Sequence, residues 1–87
     1  MDIKEMLPLS DDAISSEAQE AVFSHASGYI DSAQSPALWL ALCLAEGEAC
    51  KVADGVAKAT GDAEAAAEAG IYAFDLLRAV VEGDENV

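Results

Sequence analysis

The sequence predicts an all-α protein, a small three-helix bundle with an N-terminal arm. Alanine is the commonest of its 87 residues, which include only six Gly and two Pro. Alanine favours the helix because it loses no side-chain entropy there. Apolar residues also recur at helical spacing in three segments that Pro or Gly separates. Since 53 % of the residues are hydrophobic, the chain is too apolar for an acidic disordered tail. We expect one helical domain over residues 1–87.

The first helix is predicted over about residues 10–32, after an arm formed by residues 1–9. The apolar residues of the arm are expected to pack on the domain. The helix begins either near Ser10, where Asp11 and Asp12 suit a helix N-terminus, or near Ser16, which forms a capping-box pattern with Gln19. Its apolar positions follow helical spacing on one broad face.

The second helix has a clear predicted start and end. Ser35 is a good N-cap, and Pro36 follows at the first helical position, where its missing N–H costs nothing. The helix then extends over about residues 36–59, and Gly61 is expected to end it in a left-handed conformation.

The third helix is predicted over about residues 63–82, with Asp62 as its cap and an acidic tail over residues 83–87. So short a connection implies that helices 2 and 3 form an antiparallel hairpin. Small residues at every fourth position form ridges that let two helices approach closely. These are Ala37, Ala41, Ala45, Ala49, Ala53 and Ala57 on helix 2, Ala65, Ala69 and Ala73 with Ala66 and Gly70 on helix 3, and Gly47 and Gly55 as further points of close approach.

Acidic residues dominate the charge of the chain. Seventeen Asp and Glu against four Lys and Arg give a formal net charge of −13 at pH 7. Phosphates would be repelled, which excludes direct binding of nucleic acid through a basic surface. So many unpaired carboxylates suit docking on a basic groove of another protein. The carboxylates expected to make that contact are Glu64, Glu68, Asp75 and Glu82 on helix 3, with Glu17, Glu20 and Asp31 on helix 1.

Helix 2 begins with a segment that is apolar on all sides. A helix that is apolar all round must be buried all round, and three helices bury one side well and two sides poorly. Either helix 1 and the arm cover the segment, or a second copy does, and exposed apolar patches mark interfaces. The segment predicts a homodimer interface made by Leu38, Trp39, Leu40, Leu42 and Leu44.

Few residues are able to bind metal or to act in catalysis. Cys43, Glu46 and Cys50 share one face of helix 2 with Trp39, and His25 lies on the apolar face of helix 1. Structural zinc prefers short Cys-x-x-Cys spacing on turns, so we expect no metal. A general base needs a partner that orients it, and we find no Ser/His/Asp constellation and no Gly-rich phosphate loop. We therefore expect a protein that is not an enzyme and takes no cofactor, and the roles of Cys43, Cys50 and His25 stay open.

The chain is predicted to be cytoplasmic. Its first residues carry acid where a signal peptide carries base. The longest apolar run, Pro36 to Ala45, is too short to cross a bilayer as a helix, which takes about 20 residues. Cys43 and Cys50 are too far apart along one helix to form a disulfide, and two free thiols suit a reducing cytosol.

A short motif before helix 2 resembles the attachment site of acyl carrier proteins. Those proteins are small, acidic and helical, and they carry phosphopantetheine on the serine of an Asp-Ser-Leu motif at a helix start. The chain has Asp31-Ser32 followed by Ala33 in place of Leu. The resemblance covers two residues, and what it implies is a carrier modified at Ser32.

Three functional hypotheses follow, and none is catalytic. The first is a small acidic inhibitor that imitates nucleic acid and blocks a DNA- or RNA-binding protein or a nuclease. Anti-CRISPR proteins of phages, anti-restriction proteins and nuclease-immunity proteins share this size and charge. The second is a homo-oligomeric structural or adaptor protein whose charge serves solubility. The third is the carrier modified at Ser32. The identity of the partner and a phage or host origin stay open.

Overall fold

The computed structural model describes residues 11–83, and over that range the chain folds into three α-helices with no strand. They are α1 (Asp11–Asp31), α2 (Pro36–Thr60) and α3 (Ala63–Val81). The predicted all-α fold class is confirmed, with helices 2 and 3 closely packed. The predicted arm and residues 84–87 of the acidic tail lie outside the described residues. None of the three helices is long and apolar enough to cross a membrane.

The ends of α2 and α3 confirm the local predictions. The Oγ of Ser35 accepts a hydrogen bond from the N–H of Leu38 at 3.0 Å. At the other end of α2, Gly61 has φ 69° and donates its N–H to the carbonyl of Ala57. The carboxylate of Asp62 then accepts from the N–H groups of Glu64 and Ala65. These hydrogen bonds satisfy backbone N–H and C=O groups that have no partner inside the helix at its ends.

Of the two predicted starts of helix 1, the earlier one is confirmed and the capping box at Ser16 is wrong. The helix begins at Asp11, so Ser16 lies inside it and is exposed. The preceding residue, Ser15, is buried, and Gln19 donates its Nε2–H to the Ser15 Oγ at 2.8 Å. The pattern of Ser followed by Gln three residues later occurs in the interior of the helix, where no backbone N–H is free to be capped.

The three helices have a defined relative direction. Ser15 contacts Asp54 and Gln19 contacts Cys50, so α1 runs antiparallel to α2. Val22 lies opposite Gly70 and His25 opposite Asp75, so α1 runs parallel to α3. The bundle therefore has three outer faces, one along each pair of helices. We name them the α1/α2 face, the α1/α3 face and the α2/α3 face.

Alanine occupies the centre of the bundle. The ridge predicted on helix 2 is buried from Ala45 to Ala57, whereas Ala41 is half-buried and Ala37 is exposed. The buried apolar residues are Ile14, Ala18, Val22 and Ala26 on α1, Leu42, Ala45, Ala49, Ala53 and Ala57 on α2, and Ala66 and Phe74 on α3. On α3 the buried ridge is Ala66, Gly70 and Phe74, and the predicted ridge of Ala65, Ala69 and Ala73 is only half-buried.

Gly70 confirms its predicted role in close approach. A Cβ at Gly70 would lie 2.5 Å from Val22 Cγ2 and 3.1 Å from the carbonyl oxygen of Ala49. The same prediction for Gly47 and Gly55 is wrong, because both are exposed and a Cβ there would meet nothing within 4 Å.

Candidate functional site

Acidic residues that the sequence singles out are exposed on α1 and α3, the two parallel helices that border the α1/α3 face. Because Val22 lies opposite Gly70 in two parallel helices, residues one turn earlier on each helix also lie level with each other. That places Glu17 and Glu20 of α1 at about the same height along the bundle as Glu64 and Glu68 of α3. We name these four residues, all exposed, the acidic quartet.

Among residues 11–83, no cation is paired with the acidic quartet. Three basic residues fall within residues 11–83, and each pairs elsewhere: Lys51 with Glu48, Lys58 with Asp54, and Arg78 with Asp75 and Glu82. Within this part of the chain, no Lys, Arg or His lies within 4 Å of a quartet carboxylate. The quartet therefore presents its charge to solvent and to any partner.

Further along the same face, Asp75 is engaged with His25. The Nε2 of His25 lies 2.8 Å from the Oδ1 of Asp75, and the two side chains are 29 % and 41 % exposed. The imidazole also contacts the edge of Phe74 and the ring of Tyr29. His25 thus has an orienting carboxylate that the sequence does not reveal.

Arg78 pairs with Glu82 and lies close to Asp75 at the C-terminal end of α3. Its Nη1 donates to Glu82 Oε1 at 3.2 Å, and its guanidinium lies 4.2 Å from the ring centroid of Tyr29, a cation–π distance. Its Nε is buried and lies 3.9 Å from Asp75 Oδ1, too far for a hydrogen bond. The seven predicted contact residues therefore divide: Asp75 and Glu82 are paired, while Asp31 is exposed at the end of α1.

A second polar link joins α1 to α2. The buried Ser15 donates its hydroxyl to the Oδ1 of Asp54 at 2.6 Å, and Lys58 lies 3.2 Å from the other carboxylate oxygen. The hydrogen bond from Ser15, with the one from Lys58, lowers the pKa of Asp54 below its ordinary value. The link holds α1 in register on α2, and the sequence offers no local signal for it.

The two cysteines of α2 are both free thiols. Cys50 donates its thiol proton to Glu46 Oε2 at 3.0 Å. Burial, together with the hydrogen bond to Glu46 and the charge of Glu46, raises the pKa of Cys50 to about 12. A thiol held in its protonated form is a poor metal ligand and a poor nucleophile. Within residues 11–83 no group of three His, Cys, Asp or Glu side chains could hold a metal ion.

The apolar segment at the start of α2 does not form one surface. Leu42 is buried in the core, and Leu38 is half-buried against it. Trp39, Leu40 and Leu44 are exposed, and Trp39 points to a different side of α2 from Leu40 and Leu44. Trp39 lies toward the α1/α2 face, whereas Leu44 lies on the α2/α3 face.

Ser32 is exposed and follows the end of α1. Its N–H bonds to the carbonyl of Gly28, as in the last turn of a helix. The residue that caps α2 is Ser35, three positions later. Ser32 therefore lies at a helix end, whereas the serine of the carrier motif lies at a helix start.

No protein-family model, no curated protein and no solved structure matches the chain.

Proposed function

We infer that the chain is a binding protein without catalytic activity that docks its α1/α3 face on a basic surface of another protein. The acidic quartet carries this proposal, since its four carboxylates are exposed on two neighbouring helices and no cation of residues 11–83 pairs with them. The partner we propose is a nucleic-acid-binding protein or a nuclease, whose Lys and Arg side chains bind phosphates.

The spacing of the carboxylates supports imitation of a phosphate backbone. Glu64 and Glu68 are neighbours one turn apart on α3, which separates them by about 5–6 Å. Glu17 and Glu20 are neighbours three positions apart on α1, so each of the two helices carries a pair of exposed negative charges. A basic groove that binds nucleic acid would meet charges at a similar repeat, and the chain would then act as an inhibitor.

The electrostatic cost of the fold also supports a binding role. A net charge of −13 destabilises a compact chain through self-repulsion. The two free thiols suit a reducing compartment such as the cytoplasm, where nucleic-acid-binding partners are abundant.

The proposal is tested by capture followed by charge neutralisation. Immobilised wild-type protein is used to capture partners from lysate, which are eluted with salt, identified and purified. Their affinity is then measured for wild type and for the double variant Glu64→Gln, Glu68→Gln, which raises the net charge by two. The charge-matched control is Ser16→Lys with Ala59→Lys, which adds the same charge at exposed positions away from the α1/α3 face.

The double neutralisation should weaken binding at least about tenfold, mainly through slower association, because exposed charges act by steering. The control should change affinity far less. Added salt should weaken wild-type binding, and duplex DNA or RNA should compete for the partner. The proposal would be contradicted by a partner whose affinity stays the same on addition of salt, on addition of nucleic acid and on loss of both carboxylates.

A further inference from the structure

The α2/α3 face is apolar and has no helix packed on it within the described chain. Six large apolar side chains there are between 39 % and 73 % exposed: Leu40, Leu44, Val52, Tyr72, Leu76 and Val80. Between the two helices runs a groove of about 220 Å³, lined by Ala41, Leu44, Ala45, Leu77 and Val81 with Glu48 at its edge. Exposed apolar patches of this extent mark interaction surfaces.

The charge of the α2/α3 face differs from that of the rest of the molecule. Beside the groove, the charged side chains of α2 are Glu48 and Lys51, and they pair with each other at 3.2 Å. The acidic quartet lies mainly along α1 and the opposite side of α3. A second copy of the same chain, with net charge −13, is able to approach this face without setting carboxylates against carboxylates.

We propose that two copies of the chain pack their α2/α3 faces together as a symmetric homodimer. Two hairpins placed face to face form a four-helix arrangement, with each α1 on the outside. A two-fold axis lets one surface patch serve both copies, which is the commonest symmetry of soluble oligomers. The proposal does not depend on the function proposed for the α1/α3 face.

The α2/α3 face is large enough for a small but stable dimer interface. Two helices side by side are about 20 Å wide, and a 20-residue helix is about 30 Å long, so the hairpin covers about 600 Å² per copy. Two such faces supply about 1,200 Å², the lower end of the range for stable protein interfaces. Leu44 projects from one wall of the groove, and the small side chains of Ala41 and Ala45 leave room for its counterpart from the second copy.

The test is the oligomeric state of the full chain by analytical ultracentrifugation between about 1 and 200 µM, the range in which a dimer of micromolar affinity assembles. The wild type should sediment as a dimer, and added salt should strengthen it by screening the repulsion between two acidic chains. Salt has the opposite effect on the proposed binding to a basic partner, so the two proposals fail separately.

Variants locate the interface. Leu44→Glu on α2 and Val80→Glu on α3, at residues 65 % and 73 % exposed, should each weaken the dimer at least about 100-fold, because a symmetric interface then receives two carboxylates. Phe23→Glu is the matched control, since Phe23 is 57 % exposed on α1, away from this face, and the control should leave the dimer unchanged. Circular dichroism checks that each variant stays helical.

Three results would overturn the homodimer. One is a wild-type chain that stays monomeric over the whole concentration range. Another is a dimer that both glutamate variants leave intact. A third is a monomer that becomes a dimer when residues 1–9 are removed, which would make the N-terminal arm the occupant of the face.

Discussion

Val22 Cγ2 on α1 reaches to within 2.5 Å of the point where a Cβ on Gly70 of α3 would lie. The absence of that Cβ sets the distance between the two parallel helices. The same point lies 3.0 Å from the Cβ of Ala53 and 3.1 Å from the carbonyl oxygen of Ala49, so α2 closes the space from the other side. Gly70 is thus the residue at which all three helices meet.

Gly70→Ala should destabilise the protein although alanine is the better helix former. Overpacking a tight core costs about 1–3 kcal/mol, and the gain in helix propensity offsets about 1 kcal/mol of that. We expect the free energy of unfolding to fall by up to about 2 kcal/mol in urea titrations. The matched control is Gly47→Ala in the exposed part of α2, which should stabilise the protein by about 0.5–1 kcal/mol. Equal effects of the two substitutions would contradict the close approach.

Gly61→Val should destabilise the hairpin at the turn between α2 and α3. Gly61 has φ 69°, a left-handed conformation that costs a residue with a Cβ about 1–2 kcal/mol. Space is not the reason, since a Cβ there would meet nothing within 4 Å. Gly61→Asn is the control, because Asn tolerates this conformation and should lose much less stability. Thermal unfolding of the three proteins checks the order, and a valine variant as stable as wild type would refute the argument.

The helices and their caps could be predicted because they depend on neighbours in sequence. The caps Ser35, Gly61 and Asp62 bond to backbone groups within four residues, so short sequence patterns are enough to predict them. The pairing of His25 with Asp75 could not be predicted, because it joins residues 50 positions apart and depends on how α1 is rotated. Such a contact leaves no pattern in a single sequence.

The buried ridge of α3 lies one position away from the predicted ridge, and this difference also depends on how the helix is rotated. Nearly every position from Ala63 to Gly70 is small, so several ridges at four-residue spacing are equivalent in the sequence alone. Phe74 resolves the choice in the folded protein, because its large ring is buried and turns the Gly70 side of the helix toward the core. The acidic residues of α1 and α3 could be identified from the sequence. Their ion pairs could not, because Arg78 reaches Asp75 and Glu82 only when α3 is rotated as it is in the folded protein.

Cys50 should react slowly with alkylating reagents. With its pKa raised to about 12, the thiolate fraction at pH 8 is about one in ten thousand. Mass spectrometry after iodoacetamide treatment of a Cys43→Ala variant measures the rate for Cys50 alone. Glu46→Gln in the same background should speed alkylation at least about tenfold, because it removes the charge and the carboxylate acceptor that favour the protonated thiol. A rate that Glu46→Gln leaves unchanged would mean that the hydrogen bond to Glu46 is not formed.

The last prediction concerns acid and the link between Ser15 and Asp54. The folded state lowers the pKa of Asp54, chiefly because the Ser15 hydroxyl donates to its carboxylate. A lowered pKa means that the ionised carboxylate adds stability above its unfolded pKa, about 3.9, and that this contribution is lost as the pH falls through the folded pKa. Ser15→Ala removes the main cause of the shift and leaves Lys58 as the remaining partner of Asp54.

Ser15→Ala should therefore lower the Tm most at pH 6–7, and the difference from wild type should shrink as the pH falls below about 4. Ser16→Ala is the matched control, since Ser16 is the exposed neighbour on the same helix and should change the Tm little at any pH. Differential scanning calorimetry of the three proteins from neutral pH down to about pH 3 measures both differences. Many other carboxylates titrate over this range, but they do so in all three proteins, so the difference isolates Asp54. A gap between wild type and Ser15→Ala that is the same at every pH would show that the hydroxyl acts by packing alone, and not through the charge of Asp54.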